Sequence, residues 1–65
     1  MIKITVKGNT YPRRRVLKAL SFEYNEFGMC WYRSVVKAEL QPIVDTLREN
    51  LYGQEPLEIT WKELA

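Results

Sequence analysis

Arg13, Arg14 and Arg15, with Lys18 after them, are the residues of this 65-residue chain best suited to chemistry with a charged partner. Planar guanidinium groups match phosphate oxygens in pairs of parallel hydrogen bonds. These arginines fall at the expected start of a short helix, where the macrodipole is already positive. Each cation there costs roughly a few tenths of a kcal/mol, which points to a role other than stability. Phosphate binding is the first candidate, because free amides at a helix start also suit phosphate. An acidic protein surface would satisfy the same charges, and the plain alternative is a solvated helix face. Tyr24 and the run Trp31-Tyr32-Arg33 interleave rings with a cation, the pattern that stacks on bases of single-stranded or distorted nucleic acid. Trp31 reads as core. Tyr24 and Tyr32, whose hydroxyls tolerate water, read as the exposed platforms. Lys3, Lys7 and Arg33 would extend the basic patch if the strands bring them close.

Other chemistry finds little support. The chain has no histidine, so no imidazole base or histidine-dependent triad can form. The three glycines, Gly8, Gly28 and Gly53, are isolated at turns and make no phosphate-cradling loop. Glu39, Asp45 and Glu49 read as a solvated helix face. With one cysteine there is no intramolecular disulfide and no Cys/His zinc set. Cys30 reads as a small buried hydrophobe. A non-enzymatic protein without cofactor or metal is expected.

Sixty-five residues make one domain, near the lower size limit for unaided folding. Stability of roughly 3–5 kcal/mol is expected, so homodimer formation or partner binding would help. No signal peptide and no membrane-spanning run is seen, and a reduced, cytoplasmic setting is expected. The net charge of +2 hides an asymmetry: residues 1–37 hold eight basic and two acidic residues, a balance of +6, whereas residues 38–65 hold two basic and six acidic residues, a balance of −4. A bipolar surface with a basic side open to a polyanion follows.

Several elements must position these groups. Ile2, Ile4 and Val6 alternate with polar residues, as in a half-buried strand. After Gly8-Asn9, Thr10 is the expected N-cap and Pro12 suits a first turn, so a helix is expected from Arg13 to Leu20. Val16, Leu17 and Leu20 would face inward, with Arg13, Arg14 and Lys18 outward. Ser21 ends the helix where glycine is more usual. A hairpin follows, with strands near Phe22–Asn25 and Met29–Val36 joined by an Asn25–Gly28 turn. Which face of the second strand is buried stays open, since Trp31 and Tyr32 point opposite ways. Leu40, Ile43, Val44, Leu47 and Leu51 form the stripe of a second helix, which Pro42 would start near Ala38–Gln41 and Gly53 would end. Gln54-Glu55-Pro56 links it to a last strand, or an extended tail packed on the sheet edge, in which Leu57, Ile59 and Trp61 alternate with polar residues. The order β-α-β-β-α-β gives an α+β fold: a small sheet with two helices on one face, in the ferredoxin-like, split βαβ arrangement. The helix-free sheet face is where function is expected.

Tyr11-Pro12, Leu17, Leu20, Phe22, Tyr24, Asn25, Trp31 and Tyr32 reproduce a leucine-rich helix followed by an aromatic hairpin. Over residues 11–33 this run resembles HARP-like modules, which accompany annealing helicases. Ser21 stands where those modules usually have glycine, and Glu23 where a basic residue is common. The resemblance implies binding to branched or single-stranded DNA.

The reading is a small nucleic-acid-binding module of phage or mobile-element type. In it Arg13, Arg14, Arg15 and Lys18 contact phosphates, while Tyr24, Tyr32 and Arg33 stack or contact the backbone. The alternative is a small inhibitor or adaptor of a host protein. It would use the basic end, or the acids Glu39, Asp45, Glu49, Glu55, Glu58 and Glu63 as a DNA mimic.

Overall fold

A computed structural model of the chain describes residues 1–53 and 56–64. Strand β1 spans Ile2–Gly8, helix α1 Arg14–Ala19, β2 Glu23–Asn25, β3 Cys30–Val35, helix α2 Lys37–Asn50 and β4 Leu57–Glu63. The expected element order is thus found. The four strands form one antiparallel sheet in the order β2-β3-β1-β4, the strand order of the split βαβ arrangement. Gln54 and Glu55 of the expected linker lie outside the described residues.

Alternation sorts the side chains of β1. Ile2, Ile4 and Val6 turn to one face, opposite Val35, Arg33 and Trp31 of β3. Leu17 of α1 and Ile43, Val44 and Leu47 of α2 join them in a single core with Phe22 and Leu51. Both helices therefore cover the same face. Trp31, buried on that face, settles which way β3 turns, and Tyr32 falls on the helix-free side with Lys3, Thr5 and Lys7. Burying these side chains is the main stabilising term, at about 25 cal/mol for each Å² of apolar surface removed from water.

The chain enters α1 through a 3-10 turn at Tyr11–Arg13, so the α-helix starts at Arg14, one residue later than expected. Thr10 makes no side-chain cap. Its buried hydroxyl accepts a hydrogen bond from the Trp31 indole Nε1–H at 3.2 Å. Val16 is only half-buried, leaving Leu17 as the one fully buried residue of α1. At the other end, Ser21 N–H donates to Lys18 O (3.0 Å) and Phe22 N–H to Leu17 O (2.9 Å). This pair of bonds is the Schellman closure, and it puts Ser21 in the left-handed region with φ 63°.

In the hairpin, Asn25 Oδ1 accepts from the amides of Phe27 (3.0 Å) and Gly28 (3.3 Å), an Asx turn. The left-handed residue of this turn is Met29, with φ 52°, so the strand starts at Cys30. Cys30 is buried although it lies on the helix-free side, because the turn folds Gly28 over its sulfur. Helix α2 starts at Lys37, which leaves Pro42 in its second turn instead of its first. Ala38 and Pro42 are both exposed, so water can serve the Ala38 carbonyl that proline leaves without a donor. Gly8, at φ 108°, lets the Pro56 carbonyl approach to where a β-carbon would stand, and Asn9 N–H donates to that carbonyl at 2.7 Å.

Candidate nucleic-acid interface

The positions that bring rings and cations together are set by two local features. Tyr24 of β2 is paired directly with Trp31 of β3, so both side chains turn to the helix side of the sheet. Their rings meet edge to face, 5.2 Å between centroids at 61°, a favoured aromatic geometry. From the opposite wall, Arg14 and Lys18 stand four residues apart on α1, one above the other on a single helix face. Tyr11, in the 3-10 turn, completes the wall: the Arg14 guanidinium lies 4.2 Å from the centroid of its ring. Arg14 Nη1 also donates to the Tyr11 carbonyl at 3.1 Å.

These residues and Thr10 enclose a cleft of about 410 Å³ at the β2 end of the sheet. Trp31 forms its floor and is only 6% exposed, whereas Tyr24 and Tyr11 are 47% and 73% exposed. The Trp31–Thr10 hydrogen bond ties floor to wall across 21 residues of sequence. Among the described residues no carboxylate lies within ion-pair distance of Arg13, Arg14, Arg15 or Lys18; the ion pair found is Arg33–Glu39. The cleft thus offers unneutralised cations beside exposed ring faces. It is large enough for a planar base and has phosphate-binding groups at its rim.

The seven residues expected in a site part company here. Arg14, Lys18 and Tyr24 line the cleft, and exposed Arg13 and Arg15 flank it on the same short segment. Arg33 is not available. Its Nη1 donates to Leu20 O at 2.9 Å and its Nη2 lies 3.9 Å from Glu39, so it ties the end of α1 to the start of α2. Tyr32 is on the other side of the sheet, where its hydroxyl donates to Glu23 Oε2 at 2.8 Å and Lys3 sits 5.1 Å from its ring centroid. The Glu23 carboxylate, by hydrogen bond and charge, raises the Tyr32 phenol above its ordinary value.

Lys3 and Lys7 share the helix-free face with Tyr32 and do not extend the patch around Arg14. That face, expected to carry function, presents Lys3, Lys7 and Lys62 among Glu23, Glu58, Thr5, Thr60 and Ser34, a mixed-charge surface with Tyr32 as its ring. Tyr11, Trp31 and Thr10 were not expected as site residues. Tyr11 had a signal, an aromatic two residues before the basic run, while the role of Thr10 depends on a partner 21 residues away.

Among the described residues no three His, Cys, Asp or Glu side chains gather as a metal site. No helix among them is long and apolar enough to cross a membrane. Comparison with protein-family models, curated proteins and solved structures finds no match to this chain.

Proposed function

We propose that this chain is a non-enzymatic module that binds single-stranded or branched nucleic acid in the cleft between α1 and the β2–β3 hairpin. The observation that carries this reading is the juxtaposition of Arg14 and Lys18, without carboxylate partners among the described residues, with the exposed rings of Tyr11 and Tyr24. Single-strand binders combine those two ingredients: a basic groove for the backbone and aromatic platforms on which any base can stack. Arg13 and Arg15 would reach the flanking phosphates. The +6 balance of residues 1–37 would steer a polyanion to this end of the molecule. The HARP-like pattern read in residues 11–33 would imply the same class of ligand. The buried Cys30 thiol fits a reducing, cytoplasmic setting for this binding.

The test is fluorescence anisotropy of labelled single-stranded, forked and duplex DNA of equal length, with the unaltered protein and with Tyr24→Ala. Single-stranded or forked DNA should bind more tightly than duplex. Loss of one stacking platform should weaken binding by roughly 5- to 150-fold, the range of about 1–3 kcal/mol for a base–aromatic stack. Equal affinity for all three DNAs, unchanged in Tyr24→Ala, would refute the cleft as the binding site.

A second reading, a host-protein adaptor or inhibitor, is favoured by one observation. The hairpin tip holds a fully exposed Phe27 beside a 74% exposed Met29, apolar groups suited to insertion into a protein pocket. Phe27→Ser separates the two, since it would abolish protein capture and leave DNA binding unchanged.

A further inference from the structure

Strand β4 is an edge of the sheet and is seven residues long, whereas the opposite edge, β2, has three. A long edge with unpaired backbone groups is a template for another strand. The direction of those groups follows from two bonds at the ends of the β1–β4 ladder. Leu64 N–H donates to Met1 O at 2.8 Å and Asn9 N–H donates to Pro56 O at 2.7 Å. Both lie in the register that pairs Ile2 with Glu63 and Lys3 with Lys62. Backbone groups alternate along an antiparallel strand. Residues 58, 60 and 62 therefore bond to β1, and residues 57, 59, 61 and 63 direct their amides and carbonyls outward.

We propose that β4 pairs with β4 of a second copy of this chain, antiparallel about a two-fold axis through Thr60, to form a continuous eight-stranded sheet. The sequence of β4 is self-complementary in this register alone. Glu58 stands opposite the Lys62 of the second copy, and its Lys62 opposite Glu58, giving two opposite-charge pairs on the helix-free face. Ile59 stands opposite Trp61, twice, on the helix face, through residues whose amides and carbonyls point outward. Thr60 meets Thr60 at the axis in a closely spaced pair. Such cross-strand pairs are the units that stabilise a sheet.

The pleat requires odd residues to pair with odd ones, so the neighbouring axes pass through Ile59 or Trp61. An axis through Ile59 sets Lys62 against Pro56 and Glu58 against Thr60. An axis through Trp61 sets Lys62 against Thr60 and Glu58 against Leu64. Neither pairs the charges.

Apolar surface points the same way. Trp61 is 45% exposed and Ile59 and Leu57 are only half-buried. Beside them lies a cleft of about 480 Å³ lined by Arg48, Leu51, Tyr52, Leu57 and Ile59. In the Thr60-centred register the Trp61 of each copy stands against the Ile59 of the other, at the mouth of that cleft. The interface is isologous and closes at two copies. It leaves β2, and the cleft beside it, at the two outer ends of the joined sheet.

Size-exclusion chromatography with light scattering, from about 1 to 500 μM protein, reads the outcome as mass against concentration. The expected result is a reversible approach to twice the 7.7 kDa chain mass. Lys62→Glu alone, or Glu58→Lys alone, places like charges opposite each other twice and should raise the dissociation constant by roughly tenfold or more. The double exchange, E58K with K62E, restores both pairs and should restore the dimer. Far-UV circular dichroism checks that each variant keeps its fold; both positions are exposed. A monomer throughout the range overturns the proposal and leaves the edge to an extended peptide of another protein. A dimer that neither single exchange weakens, or that the double exchange fails to restore, overturns this register.

Discussion

Removing the two cleft cations, Arg14 and Lys18, together should change how binding responds to salt as well as how tight it is. Four cations cluster at this end of the molecule: Arg14 and Lys18 line the cleft, and exposed Arg13 and Arg15 flank it. If each neutralises one phosphate of a single strand, log K falls with log salt at a slope of about −2.8, so affinity drops roughly 50-fold between about 50 and 200 mM salt. The Arg14→Ala/Lys18→Ala variant keeps two of the four, its slope falls to about −1.4, and the same change of salt costs only about 7-fold. Arg13→Ala/Arg15→Ala should reach the same shallower slope by simple counting of charges. The two variants should separate at high salt. Arg14 also holds the Tyr11 ring, 4.2 Å from its guanidinium, so its loss loosens a stacking platform and lowers the salt-independent part of the affinity. Loss of the flanking pair leaves that part intact. Anisotropy titrations of labelled oligonucleotide at four or five salt concentrations give slope and intercept together. An unchanged slope in Arg14→Ala/Lys18→Ala would refute the assignment of phosphates to the cleft, and identical intercepts in the two variants would refute the coupling of Arg14 to Tyr11.

Two further expectations concern the scaffold. Ser21 occupies the left-handed C′ position at φ 63°, which costs an L-residue about 1–2 kcal/mol, and glycine returns part of that gain as unfolded-chain entropy, about 0.4–1 kcal/mol. Ser21→Gly should therefore stabilise by about 0.5 kcal/mol and raise the thermal midpoint by about 2–4 °C in a domain of this size, read by circular dichroism; a lowered midpoint would contradict the closure described. The Tyr32 phenol is raised by the Glu23 carboxylate from the ordinary 10.0, so the folded value exceeds the unfolded one. The contact's stability is then present below the unfolded value and lost as pH rises through the folded one. In an ultraviolet titration the Tyr32 phenol should ionise above its ordinary value, and Glu23→Gln should lower it; an unchanged profile would show that the hydrogen bond is not formed in solution.

The fold was legible because its signals are local and periodic. Ile2, Ile4 and Val6 at a period of two, and Leu40, Ile43, Val44 and Leu47 at helical spacing, each needed only their own segment to be read. The departures come from contacts between segments, or from a choice between similar local conformers. Met29, one residue past the expected Asn25–Gly28 turn, takes the left-handed conformation, while the Asn25 side chain caps the amides of Phe27 and Gly28. Threonine before a helix usually caps it, but here the Trp31 indole claims the Thr10 hydroxyl.

The same contact explains why the cleft was only half legible. Arg14 and Lys18 share a helix face by their spacing of four, while Arg15 is rotated from Arg14 by roughly 100°, so a phase argument within α1 could have ranked the cations. The identity of the facing wall could not come from spacing. It depends on β3 pairing with β1 in a register that sets Trp31 against Val6, and on Thr10 meeting that indole at the entrance to α1. One hydrogen bond across 21 residues thus joins the entrance of α1, which leads to the cations, to the strand that carries Trp31. A Thr10→Val substitution, close in size but without the acceptor, should leave the indole unsatisfied at a cost of about 1–3 kcal/mol. It should also weaken nucleic-acid binding in step, because the wall that carries Tyr11 and Arg14 loses its tie to the floor. Retained affinity in a destabilised Thr10→Val protein would show that the cleft does not depend on this tie.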